Sequence, residues 1–313
     1  MADPSLPDTG PDTESGSDSD PRAGPDASGA PGWRPSRDAA LAPGLYLVAT
    51  PIGNLRDVTL RALDVLASAT RVYAEDQRQT LKLLNAFGIR ARLGSYHEHN
   101  AEAAREEILA ALASGASAAL VSDAGTPLVS DPGFKLVRAA AAAGHRVIPV
   151  PGASAALAGL VASGLPTDRF LFAGFPPAKA AARAAWLTEL AGIEATLVFF
   201  ETGPRLAESL KDMAAVLGDR PGAVGRELTK LFEEFRRGRL SELAAGAGEA
   251  PKGEIVVVVG PPEAAAIDWS EIEAALRGAL AHDSVRDAAA KVAAAYNVPR
   301  KDVYALALKL KAP

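Results

Sequence analysis

The chain reads as an α/β protein with two sheet-bearing domains and a helical C-terminal extension, and three observations carry that reading. Between Leu45 and Val150 short apolar runs alternate five times with helical patterns, which argues for a mostly parallel sheet covered on both faces. After the small-residue stretch PGASAALAGLVASGLP (Pro151 to Pro166) a second α/β unit begins, with less regular alternation, so its sheet is expected to be mixed. From residue 270 onward only helical periodicity remains.

Residues 1–43 precede the first strand and hold eight prolines, much Ser, Gly and Asp, and almost no large apolar residues. They are expected to be a disordered tail. The tail contains eight acids and three arginines, so the chain's 38 acids and 33 bases reduce to 30 of each in the remainder. The acidic balance therefore belongs to the tail, and the folded part is neutral enough for a local basic patch to meet RNA.

LYLVA (Leu45 to Ala49) is the first strand, ending in the turn TPIGN, and Leu60, Leu63 and Leu66 follow at helical spacing. RVYA (Arg71 to Ala74) is the second and delivers Glu75 and Asp76; Leu81, Leu84 and Phe87 mark the helix after it. An extended piece through Leu93, Ser95 and Tyr96 runs into His97, Glu98 and His99, and Ala101 to Ala113 is helical. The buried run Ala118 to Val121 then opens into the turn-rich loop SDAGTPLVSDPG. Asp131 is the expected cap of the next helix, with Pro132 in its first turn and Phe134, Leu136 and Val137 as its apolar series up to Gly144. RVIPV (Arg146 to Val150) closes a first domain of residues 44–151.

The second domain, 152–265, contains FLFAGF, a helix through Trp186 and Leu190, ATLVFF, and a helix through Leu206, Leu210 and Met213. AVGREL and EEFRRG read as strands or extended loops, and GEIVVVVG is the strongest strand signal in the chain. PPEAAAIDW is an expected linker to residues 270–313, which resemble a helix-turn-helix about Asn297, Val298 and Pro299. There Val285, Ala289, Val292 and Tyr296 should face Val303, Leu306 and Leu310, leaving Arg286, Lys291, Arg300, Lys301, Lys309 and Lys311 to solvent.

Composition removes several functions. With no cysteine, disulfides, thiolate nucleophiles and Cys-based metal sites are impossible. No apolar run reaches the roughly 18 residues of a membrane span, and the N-terminus lacks the basic flank and apolar stretch of a signal peptide. A soluble, cytoplasmic protein is expected. Neither G-x-G-x-x-G after a strand nor G-x-x-x-x-G-K-[ST] occurs, which argues against simple dinucleotide enzymes and P-loop NTPases.

Three loops fall at strand carboxyl ends instead: TPIGN, SDAGTP and PGASA. In a parallel sheet they share one edge, and their small residues expose backbone N–H and C=O groups to a nucleoside ligand. A set of tight βα turns is the plainer reading of each loop alone.

In order, TPIGNLRDVTLRA, AEDQRQTLKLL, SYHEHN, VSDAGTPLVSDPG, PGASAAL and GEIVVVVG closely resemble the ribosomal small-subunit RNA 2′-O-ribose methyltransferases of the tetrapyrrole-methylase superfamily. The resemblance spans Gly44 to about Pro261, and the terminal helices look like that family's helix-turn-helix extension. It departs at Gln77, where the family commonly has Thr, and at ETGPR, which lacks a His before the arginine. The resemblance implies S-adenosylmethionine-dependent methylation of a cytidine ribose in the decoding region of small-subunit ribosomal RNA. It also implies a two-domain tetrapyrrole-methylase-like fold and a homodimer, with the cofactor between the domains.

S-adenosylmethionine is accordingly expected along Thr50, Pro51 and Gly53, along Asp123, Ala124, Gly125, Thr126 and Pro127, and at Ser154 and Ala155. Asp76 is the first candidate base, followed by Glu75, His97 and Glu98; each acid can equally cap a helix or pair with Arg78. Asn54, Arg78, Glu201, Arg205, Arg236 and Arg237 are the candidate substrate contacts, and a solvated charged face is the alternative for the basic run. No metal is expected, since His97 and His99 lack a third ligand. Two further readings are a methyltransferase acting on a tetrapyrrole precursor and a non-enzymatic regulator that binds DNA through the terminal helices.

Overall fold

The computed structural model describes residues 41–130, 133–248, 252–263 and 269–311. Asp131 and Pro132, the tail through residue 40, and residues 264–268 of the expected linker lie outside the described residues.

Five strands alternate with helices in the first domain: β1 (Gly44–Val48), α1 (Leu60–Ser68), β2 (Arg71–Ala74), α2 (Gln77–Ala86), β3 (Leu93–Ser95), α3 (Ala101–Ala113), β4 (Ser117–Val121), α4 (Phe134–Ala142) and β5 (Val147–Val150). All pair parallel in the order β3-β2-β4-β1-β5. Side chains alternate across such a sheet, so neighbouring residues join different cores. Tyr46, Val48, Val72 and Ala119 pack with Leu63, Leu66 and Leu84 of α1 and α2, whereas Leu45, Tyr73 and Leu120 pack with Ile108 and Leu136 of α3 and α4.

Two expectations shift here. Leu81 is 48% exposed, and α2 instead buries Thr80, Leu83 and Leu84, because Asp76 caps the helix in a register that turns position 81 away from the sheet. The first core also starts before residue 44, since Leu41 packs against it and Tyr46 Oη donates to the Ala42 carbonyl at 2.9 Å.

The chain then forms α5 (Ala155–Ala162), β6 (Phe170–Gly174), α6 (Ala180–Leu190), β7 (Thr196–Thr202), α7 (Gly203–Leu217), β8 (Pro221–Arg226), β9 (Glu234–Arg239), α8 (Leu240–Ala245) and β10 (Glu254–Val259). The second sheet runs β6-β7-β10-β8-β9, with β6 and β7 parallel and the remaining pairs antiparallel. It is mixed, as its irregular alternation implies. The short helix α8 is invisible to periodicity but buries Leu240, Leu243 and Ala244 beneath the sheet.

Between the sheets, α5 contains no polar residue and packs on the second sheet, where a Cβ on Gly159 would stand 2.6 Å from Val256 Cγ1. Helix and strand approach closely because position 159 has no side chain. Ile52 of the first domain joins the same cluster as Leu160, Val198, Leu228 and Val256.

α9 (Trp269–Leu280), α10 (Val285–Ala295) and α11 (Arg300–Lys311) close a core of their own from Ile272, Leu276, Ala288, Ala289, Val292, Val303 and Ala307. Tyr296, expected in that seam, is exposed, because the turn at Asn297 (φ 49°) ends α10 one residue before it.

Candidate active site

The three strand-end loops are bonded into one surface. Thr50 and Gly125 exchange backbone hydrogen bonds at 2.9 and 3.0 Å, while Thr50 Oγ1 donates to the Ser122 carbonyl at 3.2 Å. Thr126 Oγ1 donates to the Ala153 carbonyl at 3.1 Å, which ties in the third loop, and Ser154 caps α5. Gly125 has φ 80°, a left-handed backbone that suits glycine, and a Cβ there would lie 3.2 Å from Ile52 Cγ2.

This surface forms one wall of a cavity of about 320 Å³ between the two sheets. Asp123, Ala124, Gly125, Thr126, Ser154 and Ala155 line it together with Ile52, Val129 and Ser130. Across from them stand Phe175, Phe200, Glu201, Thr202, Leu228 and the segment Gly253 to Val256. The size lies at the low end of small-molecule sites, and apolar walls with a few polar groups are what such sites use.

Not every expected residue reaches the cavity. Thr50 and Pro127 are buried behind it, and Pro51 is half-buried beside them. Gly53 and Asn54 dock instead on the turn after β8: the Asn54 N–H donates to Thr229 Oγ1 at 3.1 Å, and a Cβ on Gly53 would meet Lys230 Cγ. They join the domains.

The acids sort themselves by environment. Asp76 caps α2, and its carboxylate accepts from the Arg78 N–H at 2.8 Å, from Nε at 3.1 Å and from Nη2 at 2.9 Å. Hydrogen bonding to Arg78 holds the Asp76 carboxyl below its ordinary range. First among the bases on sequence grounds, Asp76 is thus engaged as cap and ion pair, and so is Arg78. Glu75 goes the other way: burial of its carboxyl end pushes its pKa up, and the negative charges of Asp123 and Glu98 add to this while His97 opposes it. Asp123 also accepts the Asp76 N–H at 2.9 Å, so the ends of β2 and β4 touch.

The His97 N–H donates to Asn100 Oδ1 at 2.8 Å, its ring meets His99 edge-on, and its Nδ1 is buried without a hydrogen-bond partner. Among the described residues no group of three or more His, Asp or Glu is arranged to hold a metal, and no helix is long and apolar enough to cross a membrane.

On the second wall Glu201 is buried, accepting Ser209 Oγ at 2.5 Å and the Thr202 N–H at 2.8 Å, with Arg205 Nε at 3.3 Å. Arg236 and Arg237 are engaged elsewhere. Arg236 donates to the Gly246 carbonyl behind α8, and Arg237 to the Ala162 and Ser163 carbonyls at 2.5 and 3.1 Å, at the end of α5. Helix ends leave carbonyls without partners, and these two guanidinium groups satisfy them. By contrast Arg286, Arg300, Lys301, Lys309 and Lys311 are exposed, as is Lys291, although it pairs with Asp283 at 2.8 Å.

Sequence reasoning missed most of the second wall. GEIVVVVG is conspicuous as a strand, but nothing in it marks its amino end as facing a cavity. Phe175 and Phe200 stand in the sequence reading only as the last residues of FLFAGF and ATLVFF.

Comparison with known proteins now bears on this geometry. The family model of the Tetrapyrrole (Corrin/Porphyrin) Methylases matches residues 44–244, and that of the RsmI C-terminal HTH domain matches 266–311. A relative from Mesorhizobium japonicum named ribosomal RNA small subunit methyltransferase I is 53% identical, covering 87% of this chain and 93% of that one. One of the same name from Bacillus subtilis is 42% identical over 83% and 92%. Among solved structures, diphthine synthase aligns with a TM-score of 0.54 at 17% identity, covering 69% of this chain and 89% of that one. The methyltransferase CobJ aligns with a TM-score of 0.52 at 18% identity over 72% and 96%. These two likenesses concern the fold.

Proposed function

The chain belongs to the tetrapyrrole methylases, within the family of ribosomal RNA small subunit methyltransferase I proteins, and from that premise we propose that it methylates the ribose 2′-hydroxyl of a cytidine in the decoding region of small-subunit ribosomal RNA, using S-adenosylmethionine. The observation that carries the reading is the cavity between the two sheets, walled on one side by the three bonded loops.

The residues present fit the cofactor. Ile52, Leu228 and Val256 offer an apolar surface to its base, the loops offer backbone polar groups, and the Asp123 carboxylate offers negative charge to a sulfonium. When bound, S-adenosylmethionine supplies a methyl group on a cationic sulfur that departs as a neutral thioether with the C–S electron pair. The protein's part is alignment, holding the attacking oxygen in line with the methyl carbon and excluding water. Glu75, exposed at the end of β2 next to the Asp76–Asp123 contact and outside the cavity lining, is the proposed proton acceptor for the 2′-hydroxyl: its position lies beside the first wall, and its raised pKa makes it a stronger base than the Arg78-bound Asp76.

α9 to α11 are the proposed docking unit for the RNA backbone, through Arg286, Arg300, Lys301, Lys309 and Lys311. A homodimer and a cytoplasmic location complete the reading; light scattering of the purified protein tests the first. The central test is methyl transfer from labelled S-adenosylmethionine to naked ribosomal RNA, assembled small subunits and uroporphyrinogen. Label on a cytidine ribose is the expected result; label on uroporphyrinogen alone supports the tetrapyrrole reading, and no transfer to any of the three leaves the DNA-binding one.

A further inference from the structure

β6 leaves its sheet abruptly. Its register against β7 shifts between Phe172 and Gly174, a bulge, and Gly174 then takes φ 75°. A bulge re-aims the side chain that follows it. The side chain here is Phe175, which lines the cavity yet remains 51% exposed. Its ring meets Phe200 edge-on at 5.5 Å, and Phe200 meets Phe172 at 4.8 Å, so two further rings support it.

The backbone behind Phe175 is clamped. Pro176 and Pro177 each have a fixed φ. Arg205 Nη2 donates to the carbonyls of both, while Arg183 Nη1 donates to Pro177 at 3.3 Å and Ala178 at 3.2 Å. Each guanidinium is in turn held by a carboxylate, Arg183 by Asp212 at 2.6 Å and Arg205 by the buried Glu201 at 3.3 Å. Two arginines from two helices thus hold three successive carbonyls of one short loop. A ring already ordered in this way loses little entropy when a ligand stacks on it.

We propose that Phe175 is the stacking platform for the nucleobase whose ribose is methylated, and that Arg205 is the positioning residue that holds its loop. The proposal rests on the ribosomal RNA reading above. The target base is favoured over the cofactor's adenine by exposure: the apolar surface offered to the adenine, Ile52, Leu228 and Val256, is buried, whereas Phe175 is half in water. Half of the Phe175 side chain remains in water, which leaves a face for a ligand beside the one the cavity holds. Proteins that act on single RNA nucleotides hold the splayed base on an aromatic face, and this fixes the attached sugar.

The test uses the full-length chain as wild type, Phe175→Ala, Phe175→Trp and Arg205→Lys, with calorimetric S-adenosylmethionine affinity and steady-state transfer to the best RNA substrate. Phe175→Ala should lower kcat/KM for RNA roughly 10- to 100-fold, the range a lost base–aromatic stack implies, with cofactor Kd unchanged within about twofold. Phe175→Trp should restore most of the loss. Arg205→Lys should raise KM for RNA without weakening the cofactor, since lysine keeps the charge beside Glu201 but not the fork that reaches the two proline carbonyls. A parallel fall in cofactor affinity in Phe175→Ala assigns the ring to the cofactor and overturns the proposal. Unchanged kcat/KM in Phe175→Ala, beside an active wild type, overturns the platform alone; a wild type that methylates no RNA overturns the functional reading and the platform with it.

Discussion

The two sheets meet the cavity in different ways. Every strand of the first is parallel, so each that reaches the site arrives by its carboxyl end and contributes a loop, as β1 does at Ile52 and β4 at Asp123. In the second, β7 and β10 are antiparallel with Thr202 opposite Glu254, so the cavity-facing edge joins the end of one strand to the beginning of the other. The first edge presents loop residues with the Asp123 carboxylate; the second adds the aromatic rings of Phe175 and Phe200 to Glu201, Glu254 and aliphatic faces. A parallel sheet builds a site that strand ends announce, whereas a mixed sheet builds its wall from strands of both directions, and no single end marks it.

That contrast can be broken at its chemical side first. If proton removal belongs to the first edge, Glu75→Gln should lower kcat roughly 100-fold, and Asp76→Asn, which keeps the cap but loses an ion pair, should do far less. Because burial and the neighbouring carboxylates raise the Glu75 pKa, its basic form is lost as pH falls through that raised value. The wild-type rate should therefore fall on the acid side, and the Glu75→Gln residual rate should lack that limb. A wild-type kcat in Glu75→Gln would move the chemistry off this edge.

A smaller effect is expected from the loop surface. Gly125→Val puts a β-branched residue at φ 80° and its Cβ 3.2 Å from Ile52, so cofactor Kd should rise at least about tenfold, read by calorimetry on protein shown to be folded. Unchanged affinity would mean that the bonded loops are scaffold only.

Smallest is the expected effect at the joint between the sheets. Gly159→Val would drive a side chain into Val256, so α5 must lift from β10 at a cost of about 1–3 kcal/mol in a urea titration. Cofactor affinity should follow only weakly. A loss of affinity larger than the loss of stability would show that the spacing of the sheets, rather than either edge, sets binding.

The limits of sequence reading follow the same division. Short apolar runs between helical patterns located four first-domain strands, because a strand buried on both faces must be apolar in nearly every residue, as SAALV and RVYA are, and the extended piece through Leu93 located the fifth. Their carboxyl ends could then be named, and TPIGN, SDAGTP and PGASA are hydrogen-bonded neighbours. Ionisable residues were harder to read. For Asp76 the pair with Arg78 was one of two open readings, and nothing local told that Arg236 and Arg237 would close helix ends or that Gly53 would touch Lys230 instead of a ligand.

The amino-acid sequence by itself determined the two α/β units, the parallel sheet of the first, the helical extension and, through six ordered motifs, the family. These depend on periodicity and on turn chemistry, both of which act over a few residues. Only the tertiary structure decided the second wall, where β7, β10, the turn after β8 and the bulged end of β6 bring Thr202, Gly253, Leu228 and Phe175 around one cavity. It also decided which carboxylate is held below its ordinary pKa range and which is raised above it. The physical reason is that a carboxylate's pKa depends on burial and on charges within a few ångströms, and Glu75 and Asp76, adjacent in the chain, are separated by the neighbours that folding brings to each.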